Sequence, residues 1–90
     1  MAMKRDDLKN AVMKVVKDKG LKSTKAGEEV VITKPGAKKQ VKIHMPGSVQ
    51  LENTKIVVAE GKKVVASTAA LEELDQAMGL FEMFVANHLG

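Results

Sequence analysis

The middle of the chain alternates short β-branched runs with glycine-containing turns, and this pattern constrains the fold more than any other feature. Residues 28–34 include four consecutive β-branched side chains and stop at Pro35-Gly36, the pair that a type II turn prefers. Residues 40–45 then alternate polar and apolar side chains, as a strand does when only one of its faces is buried. Together the two segments predict an antiparallel hairpin.

A second hairpin is predicted further along, where apolar runs at residues 56–59 and 64–66 flank Glu60-Gly61. Pro46-Gly47 repeats the turn chemistry before it, and residues 49–51 are a candidate short strand. Strict alternation fails here, because the adjacent apolar residues put valine on both faces in either register. This is expected of central strands covered on both faces, or of a sheet whose second face meets another chain.

A helical pattern precedes the strands, over residues 4–19. Its apolar residues follow the spacing of one helix face: Leu8, Ala11, Val12, Val15 and Val16. Asp6 and Asp7 suit the positive end of the helix dipole. Gly20 is placed for a left-handed C-terminal cap, with Leu21 supplying the apolar contact that often closes it.

A second helix is predicted to run to about residue 88, with Ser67-Thr68 as its N-cap. One side of the helical wheel is apolar: Leu71, Leu74, Ala77, Met78, Phe81, Phe84, Val85 and His88. Leu80 and Met83 fall on the otherwise polar side. They are either ordinary scattered surface residues or part of a contact between chains.

These patterns predict one α+β domain over residues 1–90. It has an N-terminal helix, a four-stranded antiparallel β-meander and a C-terminal amphipathic helix packed on the sheet. Residues 22–27 are interpreted as a polar connection between the first helix and the first strand.

Candidate chemistry is sparse. The chain has no cysteine, which excludes disulfides, thiol nucleophiles and cysteine-based metal sites. His44 and His88 have no orienting partner visible in the sequence and are interpreted as surface or capping residues. We therefore expect no enzyme activity, no cofactor and no metal site. The charged N-terminus and the lack of a long apolar run predict no signal peptide and no membrane association, and we expect a soluble, cytoplasmic protein.

Lysines are grouped near the two predicted hairpin tips. There are 15 basic residues against 11 acidic ones, and Arg5 is the one arginine. The candidate anion-binding lysines are Lys34, Lys38, Lys39, Lys42, Lys62 and Lys63. Such a group attracts phosphate backbones without reading their sequence. Lysines at hairpin tips and edges also keep sheets from pairing with each other, which is the structural alternative.

The charge is also uneven along the chain. Residues 1–63 hold all 15 basic groups and 7 acidic ones, whereas residues 64–90 hold 4 acidic groups and no basic one. The first functional hypothesis is a non-enzymatic interaction module, such as an adaptor, inhibitor or assembly protein. It would associate with itself, as a homodimer, or with another protein through Leu80, Met83, Val57 and Val65. The alternative is a weakly selective protein that binds nucleic acid or another polyanion through the hairpin lysines.

Overall fold

The computed structural model describes residues 3–46, 49–51 and 53–89. Its elements in chain order are β1 (Met3–Lys4), α1 (Arg5–Asp18), β2 (Lys22–Ala26), β3 (Glu29–Thr33), β4 (Lys39–His44), β5 (Gln50–Leu51), β6 (Lys55–Glu60), β7 (Lys63–Ser67), α2 (Leu74–Phe84) and a π-helical turn (Val85–Leu89). Five strands form an antiparallel sheet in the order β2-β3-β4-β6-β7, and β1 pairs with β5 in a separate two-stranded sheet. The predicted α+β class is confirmed.

Helix α1 ends as its sequence predicts. Gly20 adopts a left-handed φ of 67°, and the Leu21 amide donates to the Val16 carbonyl at 2.9 Å. The Gly20 amide also donates to the Lys17 carbonyl, at 3.4 Å. These two bonds form a Schellman motif, and Leu21 is buried beneath it. The cap therefore stops the helix and turns the chain into the sheet.

The β3–β4 hairpin also follows the sequence pattern. Gly36 has a φ of 88° and the Ala37 amide donates to the Lys34 carbonyl at 3.0 Å, as in a type II turn. In the resulting register Ile32 lies opposite Val41, and Val41 lies opposite Val58 on β6. Since cross-strand partners share a face, these side chains line one side of the sheet, where all three are fully buried.

Both helices pack against that side. The core joins the inward face of α1, the buried sheet residues and the apolar stripe of α2, with Phe81 fully buried at its centre. Phe84, Val85 and Leu89 extend the core through the π-helical turn. The helices therefore cover one face of the sheet, and no helix of the described residues lies on the other face.

The prediction of four strands was wrong, because β2 is a fifth strand. Its residues Lys22–Ala26 pair with β3 along their whole length, where we expected a polar connection. β2 lies at the sheet edge, so its side chains are mostly exposed and show no alternation of apolar and polar residues. A signal was present nevertheless: Gly27, with a φ of 64°, opens a two-residue turn of the kind that Gly61 opens between β6 and β7.

The second helix begins later than its sequence predicts. Ser67 ends β7, and Thr68 bonds to β6, so neither caps a helix. Helix α2 begins at Leu74 with Glu73 at its N-cap. Between them Leu71 forms an isolated bridge with Thr54. Tertiary pairing with β6 therefore takes precedence over the local capping signal.

The uncovered face of the sheet carries the residues that alternate with the core positions. Val31 on β3, Lys42 on β4 and Val57 on β6 lie side by side in register. All three are half-buried. The adjacent valines had two interpretations: central strands covered on both faces, or a sheet whose second face meets another chain. Among the described residues, the first of these does not occur. The predicted turn at Pro46-Gly47 falls partly outside them.

Candidate functional site

Both hairpin tips lie at the same end of the sheet. β4 begins at Lys39, which pairs with Glu60 at the end of β6, and Glu60 in turn pairs with Lys63 at the start of β7. Lys38 and Lys62, in the turns beside these strands, are exposed. The antiparallel meander thus brings together lysines that are separated by more than twenty positions in the sequence.

Two further lysines, Lys22 and Lys19, lie at the same end, near the opposite edge of the sheet, where β2 lies. Lys22 is the first residue of β2 and pairs with Thr33, the last residue of β3. Lys34 is the next residue after Thr33, so it lies at the same end. Lys19 lines a cavity of about 260 Å³ together with Lys34 and the apolar residues Leu21, Val85, Ala86 and Leu89. Neither Lys19 nor Lys22 was among the predicted site residues. Lys19 was assigned to the end of the first helix and Lys22 to a connection, and neither assignment places them beside the hairpin tips.

We call this region the basic end. Its members are Lys19, Lys22, Lys34, Lys38, Lys39, Lys62 and Lys63. It extends across five strands, which at about 4.8 Å between neighbouring strands is roughly 19 Å. Asp18 and Glu60 are the acidic residues within it, so lysines outnumber carboxylates and the local charge is strongly positive.

Acidic residues gather at the opposite end. The Glu28 carbonyl accepts from the Met45 amide at 2.8 Å, Arg5 donates from Nη1 to the Met45 carbonyl at 2.6 Å, and the Leu71 amide donates to the Thr54 carbonyl at 2.8 Å. These contacts place the start of α1, the β2–β3 turn and the segment before α2 together. The acidic end therefore contains Asp6, Asp7, Glu28, Glu29, Glu72, Glu73 and Asp75, and Lys4, Arg5, Lys25 and Lys55 are cations among them. Carboxylates therefore outnumber cations at this end, although four of the seven come from residues 1–63.

Lys42 is the one predicted site lysine that lies away from the basic end. It sits in the middle of the uncovered face, between Val31 and Val57. An anion that touches both Lys42 and the hairpin tips must therefore lie along the uncovered face.

The four predicted association residues do not share one surface. Leu80 is half-buried and packs against the core, and Met83 lies on the outer side of α2 with 45% of its surface exposed. Val57 lies on the uncovered face, on the other side of the sheet from α2. Val65 lies at the edge strand β7 beside the exposed Val64. Val57 is thus separated by the sheet from the two helix residues.

The histidines occupy unrelated places. His44 lies on the uncovered face, with Glu29 and Lys55 as its cross-strand neighbours. His88 is half-buried in the π-helical turn, where its ring meets the edge of Phe84 at a centroid distance of 6.0 Å. Within the described ranges no three His, Cys, Asp or Glu residues are grouped as a metal ion requires, and no helix there is long and apolar enough to cross a membrane.

Comparisons with protein-family models, with curated proteins and with solved structures found no match to this chain.

Proposed function

We propose that this protein binds polyanions, specifically the phosphate backbone of nucleic acid, through its basic end. The observation that carries the proposal is the convergence of lysines from both hairpin tips and from the start of β2 on one end of the sheet. Seven lysines close together repel one another. Nucleic acid relieves that repulsion and releases its own condensed counterions when it binds.

Recognition by this surface depends on charge and not on base sequence. Phe81 and Phe84, the only aromatic residues besides the histidines, are buried in the core and cannot stack on bases. Arg5 is the only residue that offers the guanidinium fork used to read guanine, and it lies at the acidic end. We therefore propose weakly selective binding without catalysis.

Salt dependence gives the proposal a magnitude. If about six of the seven lysines each contact one phosphate, the logarithm of the affinity falls with the logarithm of the salt concentration with a slope of roughly −5. The affinity then falls about a thousandfold between about 50 and 200 mM salt.

The test uses fluorescence anisotropy of a labelled DNA duplex and of its single strand, titrated with protein at several salt concentrations. The double variant Lys38→Glu/Lys62→Glu reverses one exposed charge at each hairpin tip. Its matched control, Lys9→Glu/Lys55→Glu, makes the same change in net charge at exposed residues away from the basic end. We expect the first variant to lose binding at low salt and the control to retain most of it. Equal losses in both variants, or binding that is insensitive to salt, would contradict the proposal.

A second candidate function is self-association through the sheet edge at β7. Val64 and Val65 there are 59% and 37% exposed, and between Lys63 and Ser67 this edge strand carries no charge. A β-bulge in its pairing with β6 limits the length available to a partner strand, so the contact would be short. A second copy suits this edge, because antiparallel pairing sets the basic end of one chain beside the acidic end of the other.

Sedimentation at tens of micromolar protein tests this second candidate. Val64→Lys should shift the protein towards monomer, whereas Met83→Lys, a matched change on the outer side of α2, should not. A wild-type protein that remains monomeric throughout this range removes the candidate without affecting the polyanion proposal.

A further inference from the structure

A second cavity, of about 210 Å³, lies between α1 and the β2–β3 edge of the sheet. We call it the α1–β2 cavity. Its floor is formed by Val30 and Met45, which are both buried, and Met13 borders it from α1. Buried aliphatic and thioether groups favour an apolar ligand over water, and the two flexible methionines can adjust to its shape.

Three cations surround this apolar floor. Arg5 and Lys9 are one helical turn apart on α1, so both side chains reach the mouth of the cavity. Lys25 faces them from β2, because it pairs with Val30 and cross-strand partners share a face. No acidic side chain lines the cavity among the residues that the structure describes.

Local contacts hold the polar rim in place. Arg5 donates from Nη1 to the Met45 carbonyl at 2.6 Å, which keeps the guanidinium at the mouth of the cavity. Ser23 donates to the Met13 sulfur at 3.4 Å. Since a thioether is a weak acceptor, the Ser23 hydroxyl can redirect its proton to an anionic oxygen at little cost.

We propose that the α1–β2 cavity binds a small amphipathic anion, namely a carboxylate with a short aliphatic chain. The head group lies among Arg5, Lys9 and Lys25, and the chain lies on Val30 and Met45. The cavity measures about 210 Å³ and is open to solvent at its mouth. It therefore suits a short aliphatic chain on the apolar floor, with the carboxylate at the mouth.

This site is independent of the basic end, since the two share no residue. Lys25 and Lys9 approach the cavity from the helix-covered side of the sheet, and Arg5 belongs to the acidic end. Failure of the polyanion proposal would therefore leave the proposal for the α1–β2 cavity unchanged.

The test follows backbone amide shifts of the full chain by NMR during titration with hexanoate. We expect saturable shifts with a dissociation constant in the millimolar range, centred on Met13, Ser23, Val30 and Met45. Hexylammonium has the same chain but the opposite charge, and acetate has the head group without the chain. Both should bind at least tenfold more weakly than hexanoate.

Variants separate the cavity from general attraction to a basic protein. Lys25→Glu and, separately, Lys9→Glu should each weaken hexanoate binding about tenfold or more. Lys14→Glu, which makes the same change on the exposed surface of α1, should leave it within a factor of two. The proposal is overturned if hexylammonium or acetate binds as tightly as hexanoate, or if the shifts are centred on the basic end. It is also overturned if the Lys25→Glu and Lys9→Glu proteins bind hexanoate like the wild type.

Discussion

Thr54 and Thr68 are a matched pair: the same substitution, threonine to valine, is expected to raise the free energy of unfolding at one and lower it at the other. Thr54 is fully buried beside the start of β6, and its Oγ1 has no hydrogen-bond partner among the described residues. Thr68 faces the same strand, and its Oγ1 accepts the Ile56 amide proton at 3.1 Å. Valine has nearly the shape of threonine, so Thr→Val exchanges a hydroxyl for a methyl group with little change in packing.

The magnitudes follow from these contacts. An unpaired buried hydroxyl costs about 1–3 kcal/mol, so Thr54→Val should raise the free energy of unfolding by about 1–2 kcal/mol. The backbone bond from Leu71 to the Thr54 carbonyl, at 2.8 Å, is unaffected. Thr68→Val removes the Oγ1 that accepts from the Ile56 amide and should lower the free energy of unfolding by about 1 kcal/mol. For a domain of this size, each kcal/mol moves the melting temperature by about 4–8 °C.

Urea unfolding and thermal melts followed by circular dichroism measure both changes directly. A 90-residue domain has a total stability of about 5–13 kcal/mol, so shifts of this size are well resolved. The decisive quantity is the difference between the two variants, which we expect to be about 2–3 kcal/mol with Thr54→Val the more stable. If Thr54→Val destabilises the protein as much as Thr68→Val does, its hydroxyl has a partner and the reasoning is refuted.

Other parts of the fold lead to further predictions. Gly79→Ala, in α2 with nothing within 4 Å of an added Cβ, should stabilise the protein by about 0.5–1 kcal/mol. Gly36→Ala, at a φ of 88°, should destabilise it by about 1–2 kcal/mol; similar urea midpoints for the two alanine variants would contradict both expectations. Leu80→Glu should lower the free energy of unfolding by about 1–2 kcal/mol because Leu80 packs on the core. Met83→Glu should change it by less than about 0.5 kcal/mol, and a similar loss in both would place Met83 in the core as well.

Elements with strong local signals were predictable. The alternation over residues 40–45 identifies β4 and its buried face, and Gly20 with Leu21 identifies the end of α1. Each depends on interactions within a few residues, so the sequence contains the whole cause. The type II turn at Pro35-Gly36 belongs to the same group.

Elements stabilised by distant partners were not predictable in this way. β2 is polar because it lies at an edge, and it becomes a strand only because β3 is available beside it. Ser67 and Thr68 have a good local capping signal, yet both interact with β6 and neither caps a helix: Ser67 pairs with Val57, and the Thr68 hydroxyl accepts from the Ile56 amide. Hydrogen bonds to another strand outweigh the preference of a short polar segment.

The candidate sites divide along the same line. The positions of the charged residues, the lysines near both hairpin tips and the place of both phenylalanines in the core could be predicted from local patterns. The folded structure was needed to show that the two tips meet, that Lys19 and Lys22 join them, and that Lys42 does not. It also decided that Leu80 and Met83 lie on the other side of the sheet from Val57. Strand register and the packing side of each helix set these distances, and both arise from contacts between residues far apart in the chain.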